Sequence, residues 1–98
     1  MSPERGTLKY AVSGPIITSH ALQRWVERVV PGASEGQAET QLLNFLELGE
    51  DLKEVPNWIR GSLFLGDQYI VCAAWPGVVL RVHDRDHRPV VLTVLVKP

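Results

Sequence analysis

The chain is predicted to fold as an α+β domain, with two N-terminal helices packed on one face of an antiparallel sheet of three to five strands. Three observations carry that prediction. Apolar residues recur at helical spacing from Thr18 to Gly49. After the turn-prone Pro56-Asn57 the pattern changes to the alternating or continuous apolar runs of strands. The separators between those runs, Gly66-Asp67 and Trp75-Pro76-Gly77, are of hairpin length, so consecutive strands should be antiparallel. With 98 residues and 45% hydrophobic side chains, the chain suffices for one core and not for two, so residues 1–98 are read as a single domain.

Taken in order, Lys9 to Ile17 supply an edge strand whose length Gly14-Pro15 limits. The first helix has Thr18 or Ser19 as N-cap, and Pro31-Gly32 stops it. At about 100° per residue, Ala21, Leu22, Trp25, Val26, Val29 and Val30 share one arc, while His20, Gln23, Arg24, Glu27 and Arg28 share the other. The second helix opens with a capping box, Ser34 with Gln37, and Glu35 suits the positive end of its dipole. Ala38, Leu42, Leu43, Phe45, Leu46 and Leu48 form its buried side until Gly49 ends it. An acidic linker, Glu50 to Glu54, precedes the strands Ser62 to Leu65, Gln68 to Ala74 and Val78 to His83. A polar loop from Asp84 to Pro89 then leads to Val90–Val96, apolar at nearly every position and so read as a central or doubly covered strand. The sheet face away from the helices is left open to a ligand or a second subunit.

A net charge of −1 argues against a general nucleic-acid coat protein, whose affinity comes from a large cationic surface. The average hides a division. Between Ser34 and Asn57 six acidic residues (Glu35, Glu39, Glu47, Glu50, Asp51, Glu54) face a single cation, Lys53, so the remainder of the chain is net positive. Glu4, Arg5 and Lys9 interrupt the N-terminal stretch, which reads as neither signal peptide nor membrane span, and the expectation is a cytoplasmic protein with no membrane partner. Cys72, alone in the apolar run Tyr69–Ala74, packs as a small hydrophobe.

Three constellations bear on chemistry. His20, Arg24 and Arg28 recur every four residues along the first helix, turning by roughly 40° from one to the next. Guanidinium groups suit phosphate oxygens and an imidazole carries protons, so the row has the ingredients of a phosphodiesterase site. It equally fits the solvated face of an amphipathic helix, with Glu27 beside the arginines. Second, Arg81 and His83 share a strand face, and Thr93 joins them if the last hairpin pairs in the right register; an outward face of a half-exposed sheet has the same composition. Third, His83-Asp84-Arg85-Asp86-His87 packs imidazoles and carboxylates together, but Arg85 and Arg88 repel a dication, so no metal site and no cofactor are expected. Of the tryptophans, Trp25 is core, while Trp58 and Trp75 adjoin turns and are candidates for stacking on bases.

The segment Ile17 to Val29, a second helix ending near Gly49, and strands closing on Val91-Leu-Thr-Val-Leu95 resemble the small toxin-like proteins of the RelE/barnase-EndoU-colicin ribonuclease superfamily, nearest its BrnT-like members, often of phage or mobile-element origin. That family tends to have a histidine opening the first helix, a basic residue further along it, an arginine in a middle strand and a Thr-Val pair near the last. Here these are His20, Arg24 or Arg28, Arg81 and Thr93-Val94. The resemblance implies metal-independent RNA cleavage through the 2′-hydroxyl and a partner antitoxin. The leading expectation is thus a toxin-like endoribonuclease with His20, Arg81, His83 and Thr93 as catalytic residues, and Arg24, Arg28, Trp58 and Trp75 binding RNA. The rival is a non-catalytic protein-binding module, a phage-type inhibitor or regulatory subunit that uses the acidic second helix or the open sheet. A homodimer joined through the apolar last strand is compatible with either.

Overall fold

A computed structural model describes residues 14–54, 56–59, 66–86 and 88–98. Among these residues seven elements follow in order: β1 (Ile16–Ile17), α1 (Ser19–Arg28), α2 (Glu35–Leu48), β2 (Glu50–Asp51), β3 (Asp67–Val71), β4 (Val78–Arg85) and β5 (Arg88–Val96). The strands form one sheet in the order β1-β5-β4-β3-β2. Both helices pack on one face of it, as their amphipathic patterns require. Ala21 and Trp25 of α1 and Ala38, Leu42 and Phe45 of α2 meet Val78, Leu80, Val82, Val91 and Val94 in a continuous buried cluster. Cys72 is buried in the same cluster as a free thiol.

Local chemistry explains the helix ends. The Thr18 hydroxyl accepts from the Ala21 amide at 3.1 Å, and the Ser34–Gln37 capping box is complete in both directions. Trp25 anchors the two helices to each other. Its indole Nε1 donates to Gln41 Oε1 at 2.7 Å, and its ring meets Phe45 and Trp75 edge to face. The stripe that α2 buries is narrower than its leucine content suggests. Ala38, Leu42 and Phe45 stand at i, i+4 and i+7, whereas Leu43 and Leu48 flank that line, and Leu48 is 71% exposed.

Several strand boundaries differ from the sequence expectation. The acidic linker contains a short strand, since Glu50 and Asp51 pair with Val71 and Ile70 of β3. β3 ends at Val71, because the chain turns at once: Trp75 N–H donates to Cys72 O and Val78 N–H to Trp75 O. The expected polar loop Asp84–Pro89 is instead the tip of the β4–β5 hairpin, with Asp84 opposite Pro89 and Arg85 opposite Arg88. Asp86 takes φ 52°, a left-handed conformation that Asp tolerates, and the exposed tip accepts charged strand residues. The sheet is mixed rather than antiparallel throughout, for β1 runs parallel to β5. No hairpin joins those two strands, so no turn imposes the opposite direction. Expected strand Ser62–Leu65, and residues 9–13 of the expected edge strand, lie outside the described residues.

Two further corrections concern the far face and β5. The face away from the helices is partly covered, because Ile59, Tyr69 and Val79 form a second buried cluster with Leu52, Trp58, Val71 and Leu95 packed on it. β5 is not the central strand; β4 is. The apolar run fits a doubly covered strand, with Val91 and Val94 in the helix-side core and Leu95 against the far-face cluster, and a β-bulge between paired residues Arg81–Thr93 and Val82–Val91 leaves Leu92 as an extra residue on β5. The extra residue reverses the alternation. Val91 and Val94 both enter the helix-side core although they are three apart, and Thr93 and Leu95 turn to the far face.

Candidate active site

The central strand sorts its side chains by parity. Val78, Leu80 and Val82 enter the helix-side core, leaving Val79, Arg81 and His83 on the far face. Pairing in β3–β4 sets Tyr69 opposite Arg81 and Asp67 opposite His83, while the bulge sets Thr93 opposite Arg81 on the other side. Tyr69, Arg81 and Thr93 therefore form one row across three strands, with Asp67 and His83 as the next row. Neighbouring strands are about 4.8 Å apart and residues two apart on a strand about 6.8 Å, so the two rows occupy a patch roughly 10 Å by 7 Å.

Asp67 ties the second row to the first. Its Oδ1 is 2.9 Å from His83 Nδ1 and its Oδ2 is 3.2 Å from Arg81 Nε, the latter an ion pair rather than an aligned hydrogen bond. Its side chain is only 7% exposed, against 44% for His83 and 21% for Arg81. A carboxylate this buried needs such partners.

His20 enters from the helix layer. β1 stops opposite Val91, which leaves the edge of β5 uncovered from Leu92 onward, and α1 begins there. The Thr18 hydroxyl, besides capping α1, donates to Val91 O at 2.9 Å, and its amide donates to the same carbonyl at 3.3 Å. Those bonds fasten the helix start to the bulge. Two residues on, His20 Nε2 lies 3.1 Å from Thr93 Oγ1 across the uncovered edge.

The structure thus brings His20, Thr93, Arg81 and His83 together and leaves the other helix residues outside. Arg24 is bonded to Glu27 at 3.1 Å, and Arg28 is exposed in the last turn of α1. Trp75, expected near the surface, stacks against Trp25 at 4.9 Å with the helix-side core around it. Trp58 is half-buried against the far-face cluster, on the same face as Arg81. Among the described residues, no group of three His, Cys, Asp or Glu side chains is arranged to hold a metal ion. His83 is bonded to Asp67 on the neighbouring strand.

Asp67 and Thr18 are the residues of this arrangement that sequence reasoning missed, one taken for a hairpin spacer and the other only for a helix cap. A signal for Asp67 existed. Every β3–β4 pair is symmetric about Trp75, so folding the sequence back at Trp75-Pro76-Gly77 sets Asp67 against His83 and Tyr69 against Arg81. A concavity lies on the helix side, a groove of about 580 Å³ lined by Leu43, Leu46, Glu47, Ile70, Val82 and Pro89 among others. It includes none of His20, Asp67, Arg81, His83 and Thr93. Among the described residues, no helix is long and apolar enough to cross a membrane. In comparisons with known proteins, no family model matches the chain, and neither a curated protein nor a solved structure matches it.

Proposed function

We propose that the chain is a metal-independent endoribonuclease of toxin type, acting through His20, Arg81, His83 and Thr93, and that its resemblance to the RelE/barnase-EndoU-colicin superfamily reflects kinship. The observation that carries this reading is the Arg81 row. A guanidinium is flanked on its own sheet face by a hydroxyl bonded to one imidazole, and a second imidazole stands on a carboxylate beside it. One imidazole takes the proton from the RNA 2′-hydroxyl as that oxygen attacks the adjacent phosphorus. The other gives a proton to the departing 5′-oxygen, leaving a 2′,3′-cyclic phosphate. Arg81 and the Thr93 hydroxyl stabilise the charge that accumulates on the pentacoordinate phosphate. In this reading Trp58 stacks on a flanking base and Arg28 meets a more distant phosphate, whereas Arg24 is held by Glu27 and Trp75 by the core.

The test is incubation of purified protein with a defined RNA oligonucleotide in EDTA, followed by analysis of product ends. Cyclic phosphate termini are expected, with Arg81→Ala slower by roughly 10²–10³-fold and His83→Gln by roughly 10²–10⁴-fold. No cleavage by the wild type sinks the proposal.

The binding-module alternative has its own observation, the helix-side groove lined by Leu43 and Glu47, with Leu43 exposed there and Leu48 exposed further along α2. It requires a stable one-to-one complex with a protein partner, an antitoxin or another target, which Leu48→Lys disrupts and Arg81→Ala leaves intact. A homodimer through the last strand is confined to the part of its edge that β1 leaves uncovered, from Leu92 onward, beside which α1 begins.

A further inference from the structure

Asp67 is the one acidic group drawn into the far-face site, and its chemistry decides which nitrogen of His83 can work. We infer that Asp67 is a positioning residue, holding neutral His83 as the tautomer protonated on Nδ1, so that Nε2 is the atom that accepts or returns a proton. The reaction it serves rests on the ribonuclease reading; the tautomer does not.

Geometry supplies the argument. An ionised carboxylate only accepts hydrogen bonds, so at 2.9 Å from Asp67 Oδ1 the Nδ1 position of His83 must carry the hydrogen. A neutral imidazole then has its lone pair on Nε2. The carboxylate is held from three sides. Its strand position opposite His83 is fixed by the β3–β4 register, its second oxygen is paired with Arg81, and its side chain is 7% exposed, so water competes poorly for either oxygen. One buried carboxylate thereby orients both a proton carrier and the guanidinium of the adjacent row. Orientation of an imidazole by a carboxylate on its other nitrogen is worth large factors in acid–base catalysis, because the wrong tautomer presents a hydrogen where a lone pair is needed.

The chemistry balances without any added reactant. The Nε2 lone pair takes the hydrogen of a substrate hydroxyl as the oxygen–phosphorus bond forms, giving an imidazolium whose positive charge lies against the Asp67 carboxylate. The phosphorus–oxygen bond to the 5′-oxygen breaks, and the proton needed there comes from the second imidazole.

The experiment is long-range proton–nitrogen correlation NMR on uniformly ¹⁵N-labelled wild-type protein, with the His83 ring assigned by its loss in His83→Gln. A single neutral tautomer with the hydrogen on Nδ1 is expected. An Nε2-protonated ring, or a rapidly averaged mixture of both tautomers, overturns the inference with no mutant at the Asp67 position required. In Asp67→Asn, whose amide presents a donor as well as an acceptor, the expected result is a shift toward Nε2–H or toward the averaged mixture while backbone amide shifts in the helices stay in place. Retention of the wild-type tautomer in that variant also overturns it. On RNA, Asp67→Asn should lower kcat by roughly 10²-fold or more with KM nearly unchanged. A wild type that shows the expected tautomer but no cleavage supports the role of Asp67 in setting the ring and overturns the ribonuclease reading alone.

Discussion

The Thr18 hydroxyl donates to Val91 O at 2.9 Å while accepting from the Ala21 amide at 3.1 Å, so one small side chain serves as helix cap and as tether to the sheet. Thr18→Val keeps the shape and removes both bonds. It should cost about 2 kcal/mol, more than the ~1 kcal/mol expected for Ser34→Ala in the exposed capping box, both read from urea unfolding. Trp25 is the most consequential apolar residue, fully buried and bonded to Gln41. Trp25→Ala should cost roughly 3–5 kcal/mol, a large share of the ~5–15 kcal/mol that stabilises a typical domain, and thermal unfolding will report whether a folded population survives.

Gly49 shows at the level of elements what joins the helix layer to the sheet. A methyl group added there would stand 2.7 Å from the Ile70 Cγ2 and equally close to the carbonyl oxygens of Phe45 and Val71, because the chain passes straight from α2 into β2. Gly49→Ala is therefore expected to destabilise by about 1–3 kcal/mol. Gly36→Ala, in the first turn of α2 with nothing within 4 Å of the added methyl, should stabilise by up to ~1 kcal/mol. Parallel denaturant titrations of the two variants measure the contrast. The elements themselves were legible to different degrees for physical reasons. Both helices announce their ends through side chains that bond their own backbone, as Thr18 and Ser34 do, and such signals are local. Strand limits depend on partners: Glu50 and Asp51 read as linker because only β3 makes them a strand, and Asp84 to Pro89 read as loop because only the hairpin makes them a ladder. The alignment of Arg81 with Thr93 was open for the same reason.

For the molecule as a whole, the order β1-β5-β4-β3-β2 puts the best-shielded strand in the middle, between a helix-side core and a smaller far-face cluster. Amide hydrogen exchange should be slowest at Leu80 to Val82 of β4 and fastest in β1 and β2, which are two residues long. The far-face groups are consequently mounted on the best-shielded strand, with His20 arriving from a helix held by its buried Ala21 and Trp25 and by the Thr18 tethers. His20 was the one member of the helix row positioned to turn to the sheet, since it precedes the apolar arc by one residue; Arg24 and Arg28 follow α1 away from the site.

Leu92 has one more implication, for how kin of this chain are to be recognised. It is a spacer, and its contribution is to arithmetic rather than chemistry: the bulge that absorbs it keeps Thr93 opposite Arg81, where unbroken pairing from the hairpin tip would set Leu92 there and Thr93 opposite Leu80 beneath the helices. A homologue lacking that one residue would pair regularly and still set its threonine opposite the arginine, so a gap at Leu92 in an alignment leaves the row intact. Among kin the row is kept by the bulge or by the deletion alike, and is lost where the extra residue stays and the bulge does not.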